Sequence, residues 1–329
     1  MYYRQYCESH CPDSRLSSKL HCLLSHTGFF HSLQNRVAES LVIVFNPTAG
    51  RRRAQLLWRV LDVMVANGMR LELSETHRPG HAQDLAREAA CAGATMVVAA
   101  GGDGTIAEVA NGLMGTQASL GVIPLGTANV LAHELELPFA PRAVAAALAF
   151  GRTRPLWPGI ARGPERERLF VQMLGIGFDA HVVHNLSIPL KRVIGRHAYV
   201  AQTLRELARY DFTPIRLRID GTETQAASVI VSKGRLYGGT YLLAPDAKPA
   251  EAGFSVVLFD RAGPGAALMY GAALPFNRLG RAPGTRHIRA HRIDIIGNER
   301  IPAQADGDAA GLGPLIITDA PAPIQIVVS

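Results

Sequence analysis

No apolar run in this 329-residue chain approaches the roughly 18–20 residues that a membrane-spanning helix needs. The richest stretch, Ala143–Phe150, is far shorter and reads as a buried helix. The first forty residues lack a compact apolar core followed by a small-residue cleavage site, so no secretion signal and a cytoplasmic protein are expected. Aromatic residues make up only 6% of the chain. No basic run is interleaved with them in the way single-stranded nucleic acid prefers, which makes nucleic acid the weakest class of partner. Cysteine is also scarce, at four residues. Cys7, Cys11 and Cys22 lie near His10 and His21, but their spacing fits no zinc-finger pattern. Cys91, alone among alanines, reads as a small core residue.

What is present points to a globular protein with an anionic partner. Apolar residues reach 48% and charged ones 19%, enough to bury a core. The net charge of +7, led by arginine, favours a nucleotide or an anionic membrane surface. Residues 1–39 show no sustained period and read as a poorly ordered extension.

From Leu41 onward, apolar β-branched runs alternate with helical patterns. Strands are expected at Leu41–Phe45, Leu71–Ser74, Met96–Ala100 and Leu120–Pro124. Helices are expected between them, the first with Leu56, Leu57, Val60, Leu61, Met64 and Val65 on one face, the second over His81–Ala92, the third from Ile106 to Met114. Such βαβ units imply a parallel sheet covered on both sides. Ligands of such sheets bind at the carboxyl ends of the strands, and three of those ends carry unusual loops: Asn46–Gly50, Gly101–Thr105 and Leu125–Asn129. After Gly151 helical periods become rare and short alternating strands take over, the pattern of an antiparallel sandwich or open barrel. The expected division is therefore an extension (1–39), a Rossmann-like α/β nucleotide domain (40–150) and a mostly antiparallel β-sandwich domain (151–329), with the ligand cleft between the last two.

Gly101-Gly102-Asp103-Gly104-Thr105 follows a buried strand and precedes a helix. Glycines let the backbone approach a ligand closely, and successive N–H groups at a helix start attract anions. A carboxylate beside phosphates calls for a cation, so Asp103 suggests magnesium. The lysine of a Walker A loop is missing.

With its neighbours, this string resembles the diacylglycerol kinase catalytic-domain family, which includes bacterial soluble lipid kinases and sphingosine kinases. The matching motifs run in order over roughly residues 41–329: Asn46-Pro47-Thr48-Ala49-Gly50, Gly80-His81-Ala82, the GGDGT string with Glu108, and Pro124–Asn129. They continue with Gly175–Ala180, Tyr237-Gly238-Gly239, Ala244–Ala247 and Asp306-Gly307-Asp308. The resemblance implies an ATP- and Mg²⁺-dependent kinase acting on a lipid hydroxyl at an anionic membrane surface, and it leaves a homodimer open. It implies ATP contacts from Asn46, Pro47, Thr48, Ala49, Gly50, Thr76, Gly101, Gly102, Asp103, Gly104, Thr105, Glu108 and Thr127. Asp103 and Glu251 would serve the metal, and Asp308 would be the general base. Three positions depart from the family: Val130 stands where an Asp is usual, Asp308 where a Glu is frequent, and Glu251-Ala252 where an Asp-Gly pair is expected. The rival readings are a NAD kinase-like enzyme and a lipid- or nucleotide-binding module that has lost catalysis.

Overall fold

The computed structural model describes residues 41–48, 54–164, 166–185, 203, 205–207, 209–297 and 301–329. The expectations for residues 1–39 with their three cysteines, for Ala49 and Gly50, and for much of a helix near His197–Tyr210 lie outside the described residues.

The first body is built on four parallel strands, β1 (Leu41–Phe45), β2 (Leu71–Glu75), β3 (Met96–Gly101) and β4 (Ser119–Pro124), in the order β2-β1-β3-β4. Alternation along them sorts side chains to two faces. Val42, Val44, Val97 and Ala99 meet α2 (His81–Cys91) and α3 (Asp103–Leu113) through Ala86, Ile106 and Val109. Leu41, Ile43, Val98 and Ile123 meet α1 (Ala54–Ala66) through Leu57, Val60 and Met64, together with the helix Pro141–Phe150. Both faces are thus covered, which is why these strands are near-continuous apolar runs. Val65, expected on the buried stripe of α1, is 59% exposed. Cys91, expected in the core, is exposed at the end of α2.

The sheet does not end where the sequence texture changes. The C-terminal strand Ile324–Val328 lies beside β4, parallel to it, and β5 (Arg152–Leu156) pairs antiparallel with that strand at the edge. Periodicity assigned Ile324–Val328 to the β-rich half of the chain. Its apolar residues suit either sheet, and the choice was made by tertiary pairing.

The second body is a sandwich of two six-stranded antiparallel sheets. One contains Ile215–Ile219, Arg292–Ile296 and Leu315–Asp319; the other contains Phe254–Phe259, Ser228–Ser232 and Met173–Gly177. Phe170, Leu174, Leu217, Val231, Val256, Ile293 and Ile317 fill the space between them. Among the described residues, the helices Phe178–His184 and Pro264–Ala273 interrupt the mostly β pattern, and the sequence had marked neither.

Candidate active site

β3 delivers Gly101 and Gly102 to the carboxyl edge of the parallel sheet, and α3 starts at once. Ile106 N donates to Gly102 O (3.0 Å), so Asp103, Gly104 and Thr105 form the first helical turn. The helix was expected only from Ile106. Glycine-rich sequence hides a helix start because it carries no apolar stripe. The loop after β4 packs directly on this turn: a Cβ on Gly126 would stand 2.6 Å from Gly102 Cα. Asn129, left-handed at φ 46°, ties the second loop by donating Nδ2 to Gly126 O (2.9 Å). Its Oδ1 is buried without a partner among the described residues.

Three aspartates meet here from distant parts of the chain. Asp103 Oδ1 accepts the N–H of Leu131 (3.2 Å), at the start of α4 (Val130–Glu134). Burial pushes its pKa up against those backbone donors. Asp306-Gly307 is the two-residue turn of the hairpin joining Pro302–Ala305 to Asp308–Leu312, with both residues at positive φ (50° and 87°). That is the conformation an Asp-Gly hairpin turn favours. Asp306 accepts N–H bonds from Val171 (2.7 Å), Gln172 (2.9 Å) and Met173 (2.9 Å). Burial still wins: its pKa is pushed up to about 7, with a further upward push from the charge of Asp103. Asp308, next along the hairpin, lies against the glycine loop, where a Cβ on Gly104 would stand 2.7 Å from its Oδ2. Arg168 Nη2 reaches the same oxygen at 3.4 Å, and the Asp308 side chain remains 49% exposed.

The other anticipated residues divide. Asn46 Nδ2 donates to Thr105 Oγ1 (3.1 Å), while Asn46 Oδ1 accepts both the N–H and the hydroxyl of Thr48 (3.0 and 2.8 Å). The loop after β1, with Pro47, is thereby tied to the glycine turn. Thr76 follows β2 next to this edge, its N–H on Phe45 O (2.9 Å). Thr127 is exposed on the second loop. Glu108 turns away from the loop: its two oxygens accept Gly80 N–H (2.9 Å) and Ala82 N–H (3.2 Å) at the start of α2. Glu251 is an exposed turn residue whose carboxylate pairs with Lys248 (3.0 Å). Its backbone carbonyl accepts from Lys233 Nζ (3.1 Å), a buried ammonium that is ion-paired with Asp319 at 2.9 Å. Val130, in the place of the usual acid, is buried at 7% exposure.

Sequence reasoning assigned no role to two further groups. Glu134, at the end of α4, is buried and accepts from Arg235 N (2.8 Å), Arg235 Nε (2.8 Å) and Leu236 N (2.9 Å). This ion pair locks the first body to a loop of the second. Asp179, in the first turn of the helix Phe178–His184, accepts from the Tyr237 hydroxyl and from Gln304 Nε2 (2.9 Å), with its pKa raised by burial. Both acids lie among ordinary helix and turn residues. Only Asp179 lies in a string the sequence singled out, Gly175–Ala180, and that string carried the family resemblance without a role for the acid.

A parallel sheet whose strand ends carry a glycine-rich helix start, with an acidic hairpin of a β-sandwich laid against it, defines a two-body α/β-plus-sandwich class of fold. Residues 40–159 match the model of the diacylglycerol kinase catalytic domain, and residues 172–328 match that of the YegS C-terminal NAD kinase beta sandwich-like domain. The two matches together give this chain a diacylglycerol kinase catalytic domain followed by a YegS-type sandwich domain. The chain is 37% identical over 185 residues to a YegS-like protein of Pseudomonas putida named as a probable lipid kinase, a match covering 55% of this chain and 61% of the relative. A diacylglycerol kinase of Bacillus subtilis is 29% identical over 281 residues, covering 83% of this chain and 90% of the relative. The crystal structure of a diacylglycerol kinase from Bacillus anthracis str. Sterne shares the fold, with a TM-score of 0.65 at 20% identity over 88% of this chain and 97% of that one.

Proposed function

We propose that this chain transfers the γ-phosphoryl group of ATP to the hydroxyl of a lipid, diacylglycerol or a related lipid alcohol, at the cytoplasmic membrane surface. The observation that carries this reading is the placement of Asp308 against Gly104, which sets a half-exposed carboxylate beside a glycine-rich helix start. The N–H groups of that start suit nucleotide phosphates, with Asn46, Thr48, Thr105 and Thr127 along the same edge. In the reaction the lipid hydroxyl oxygen bonds to the γ-phosphorus, and the bond from that phosphorus to the β,γ-bridging oxygen breaks. ADP leaves with the electron pair. Asp308 accepts the hydroxyl proton, and Arg168 orients its carboxylate. Such chemistry needs positioning and charge neutralisation above all.

The donor set fits magnesium in part. The repulsion between Asp103 and Asp306 is the kind a hard cation relieves. Among the described residues, however, no three His, Cys, Asp or Glu side chains gather as a metal site. Asp103 would hold the ion, whose other ligands would be phosphate oxygens and water, and it would supply charge neutralisation on the phosphates. Glu251, paired with Lys248, does not favour a metal role.

Incubation with labelled ATP and total lipid extract tests the reading: a labelled phospholipid product is expected. Labelling of NAD in preference to any lipid would overturn it.

A further inference from the structure

The helix Pro264–Ala273 buries none of its residues. From Pro264 through Phe276 the chain has no charged side chain, and apart from Tyr270 every residue is apolar or glycine. Pro264, Leu268 and Ala272, spaced by four, fall on one exposed face. Leu268 is 50% exposed, and Phe276 just beyond the helix is 75% exposed. The helix is nevertheless held in place. Tyr270 stacks edge-on against Phe259 at 4.9 Å, and its hydroxyl donates to Gly284 O (3.3 Å). A fixed, outward apolar face of this kind marks a docking surface.

Charge identifies what docks. Between Asp260 and Asp294 there is no acidic residue, while arginine stands at 261, 278, 281, 286, 289 and 292. Arg286 is neutralised by Asp260 (2.8 Å) and Arg292 by Asp294 (2.9 Å), and Arg289 lies 3.9 Å from Glu251. Arg261, Arg278 and Arg281 flank the apolar helix, are exposed, and make no ion pair among the described residues. An exposed apolar helix with leucine and phenylalanine to enter the headgroup layer, flanked by unpaired arginines, suits the surface of an anionic bilayer.

We infer that Pro264–Phe276, with Arg261, Arg278 and Arg281, is the surface by which this protein docks on anionic lipid bilayers. The surface connects to the cleft through one hairpin. Asn277 Oδ1 accepts the N–H of Leu242 (2.9 Å), and Leu242 pairs with Leu236, the neighbour of Tyr237 and a donor to Glu134. The inference rests on the lipid-kinase reading only for why such a surface is needed, so docking and turnover are measured separately.

The test is co-sedimentation with vesicles of equal parts phosphatidylglycerol and phosphatidylcholine, compared with phosphatidylcholine alone. Wild type is expected to bind the anionic vesicles and to bind neutral ones far less. Leu268→Asp/Phe276→Asp should weaken binding at least tenfold. Arg261→Gln/Arg278→Gln/Arg281→Gln should weaken it on the order of a hundredfold, at roughly fivefold per charge. Phe276→Trp should show a blue-shifted emission difference spectrum on addition of anionic vesicles. Wild-type binding by either multiple variant, or an unshifted Phe276→Trp spectrum, overturns the inference. So does a concentration-dependent dimer of the wild type that the Leu268→Asp/Phe276→Asp variant abolishes, since a second copy would then cover the face. All variants are expected to keep turnover of short-chain diacylglycerol in detergent, and loss of it would assign the surface to the catalytic machinery instead. Vesicle binding without turnover of any lipid would sink the kinase reading and leave the docking surface standing.

Discussion

A Cβ placed on Gly104 would stand 2.7 Å from Oδ2 of Asp308, although 204 positions separate the two residues along the chain (308 − 104). The absent side chain of one residue makes the space in which the carboxylate of the other sits. Gly104→Ala is therefore a probe of Asp308. Alanine favours the helix and the clash falls on the end of a movable side chain, so the fold should hold. Displacement of the carboxylate should lower kcat at least tenfold, and Asp308→Asn by about 10²–10⁴, with the KM for ATP little changed. Steady-state kinetics on the labelled lipid decides: a Gly104→Ala enzyme as fast as wild type removes Asp308 from the reaction.

Asp103→Asn separates charge from structure. Asparagine can still accept the N–H of Leu131, so the stability loss should stay below about 1 kcal/mol. Turnover should fall by roughly two orders of magnitude or more if the charge serves the phosphates. Denaturant melts and rates at saturating Mg²⁺ measure both; retained activity contradicts the assignment.

Glu134→Ala removes one partner of a buried ion pair and leaves the N–H groups of Arg235 and Leu236 without their acceptor. A stability loss of about 2–4 kcal/mol is expected. Arg235→Ala should cost less, because its side chain is 44% exposed. Equal, near-zero losses in urea unfolding would show that the latch does not hold the two bodies.

Asp306 gives the protein a pH-dependent stability of defined sign. Its folded-state pKa, about 7, lies above the ordinary carboxylate value, so the folded protein keeps a proton that the unfolded chain releases. That contribution is complete below about pH 4 and is lost as pH rises through about 7. The stability of wild type relative to Asp306→Asn should fall with rising pH across this window, by at most about 1.4 kcal/mol per unit. A difference independent of pH would refute the burial argument.

Local pattern was enough for the four parallel strands of the first body. Leu41–Phe45 and Met96–Gly101 are apolar because both faces of their sheet are covered, and Gly68 and Gly93 stop the helices wherever the rest of the chain goes. The glycine string declared a close backbone approach, and the structure shows it: a Cβ on Gly126 would stand 2.6 Å from Gly102 Cα. What the sequence could not carry was partnership across distance. Whether Ile324–Val328 joined one sheet or the other depended on which edge was open. Whether Glu108 met a ligand or the start of α2 depended on how two helices crossed. Asp306 and Asp308 differ by two positions in one turn, yet the first is sealed under three backbone N–H groups and the second faces the glycine loop. A hairpin points successive residues in different directions, and only the packing of the second body against the first fixed which carboxylate entered the cleft.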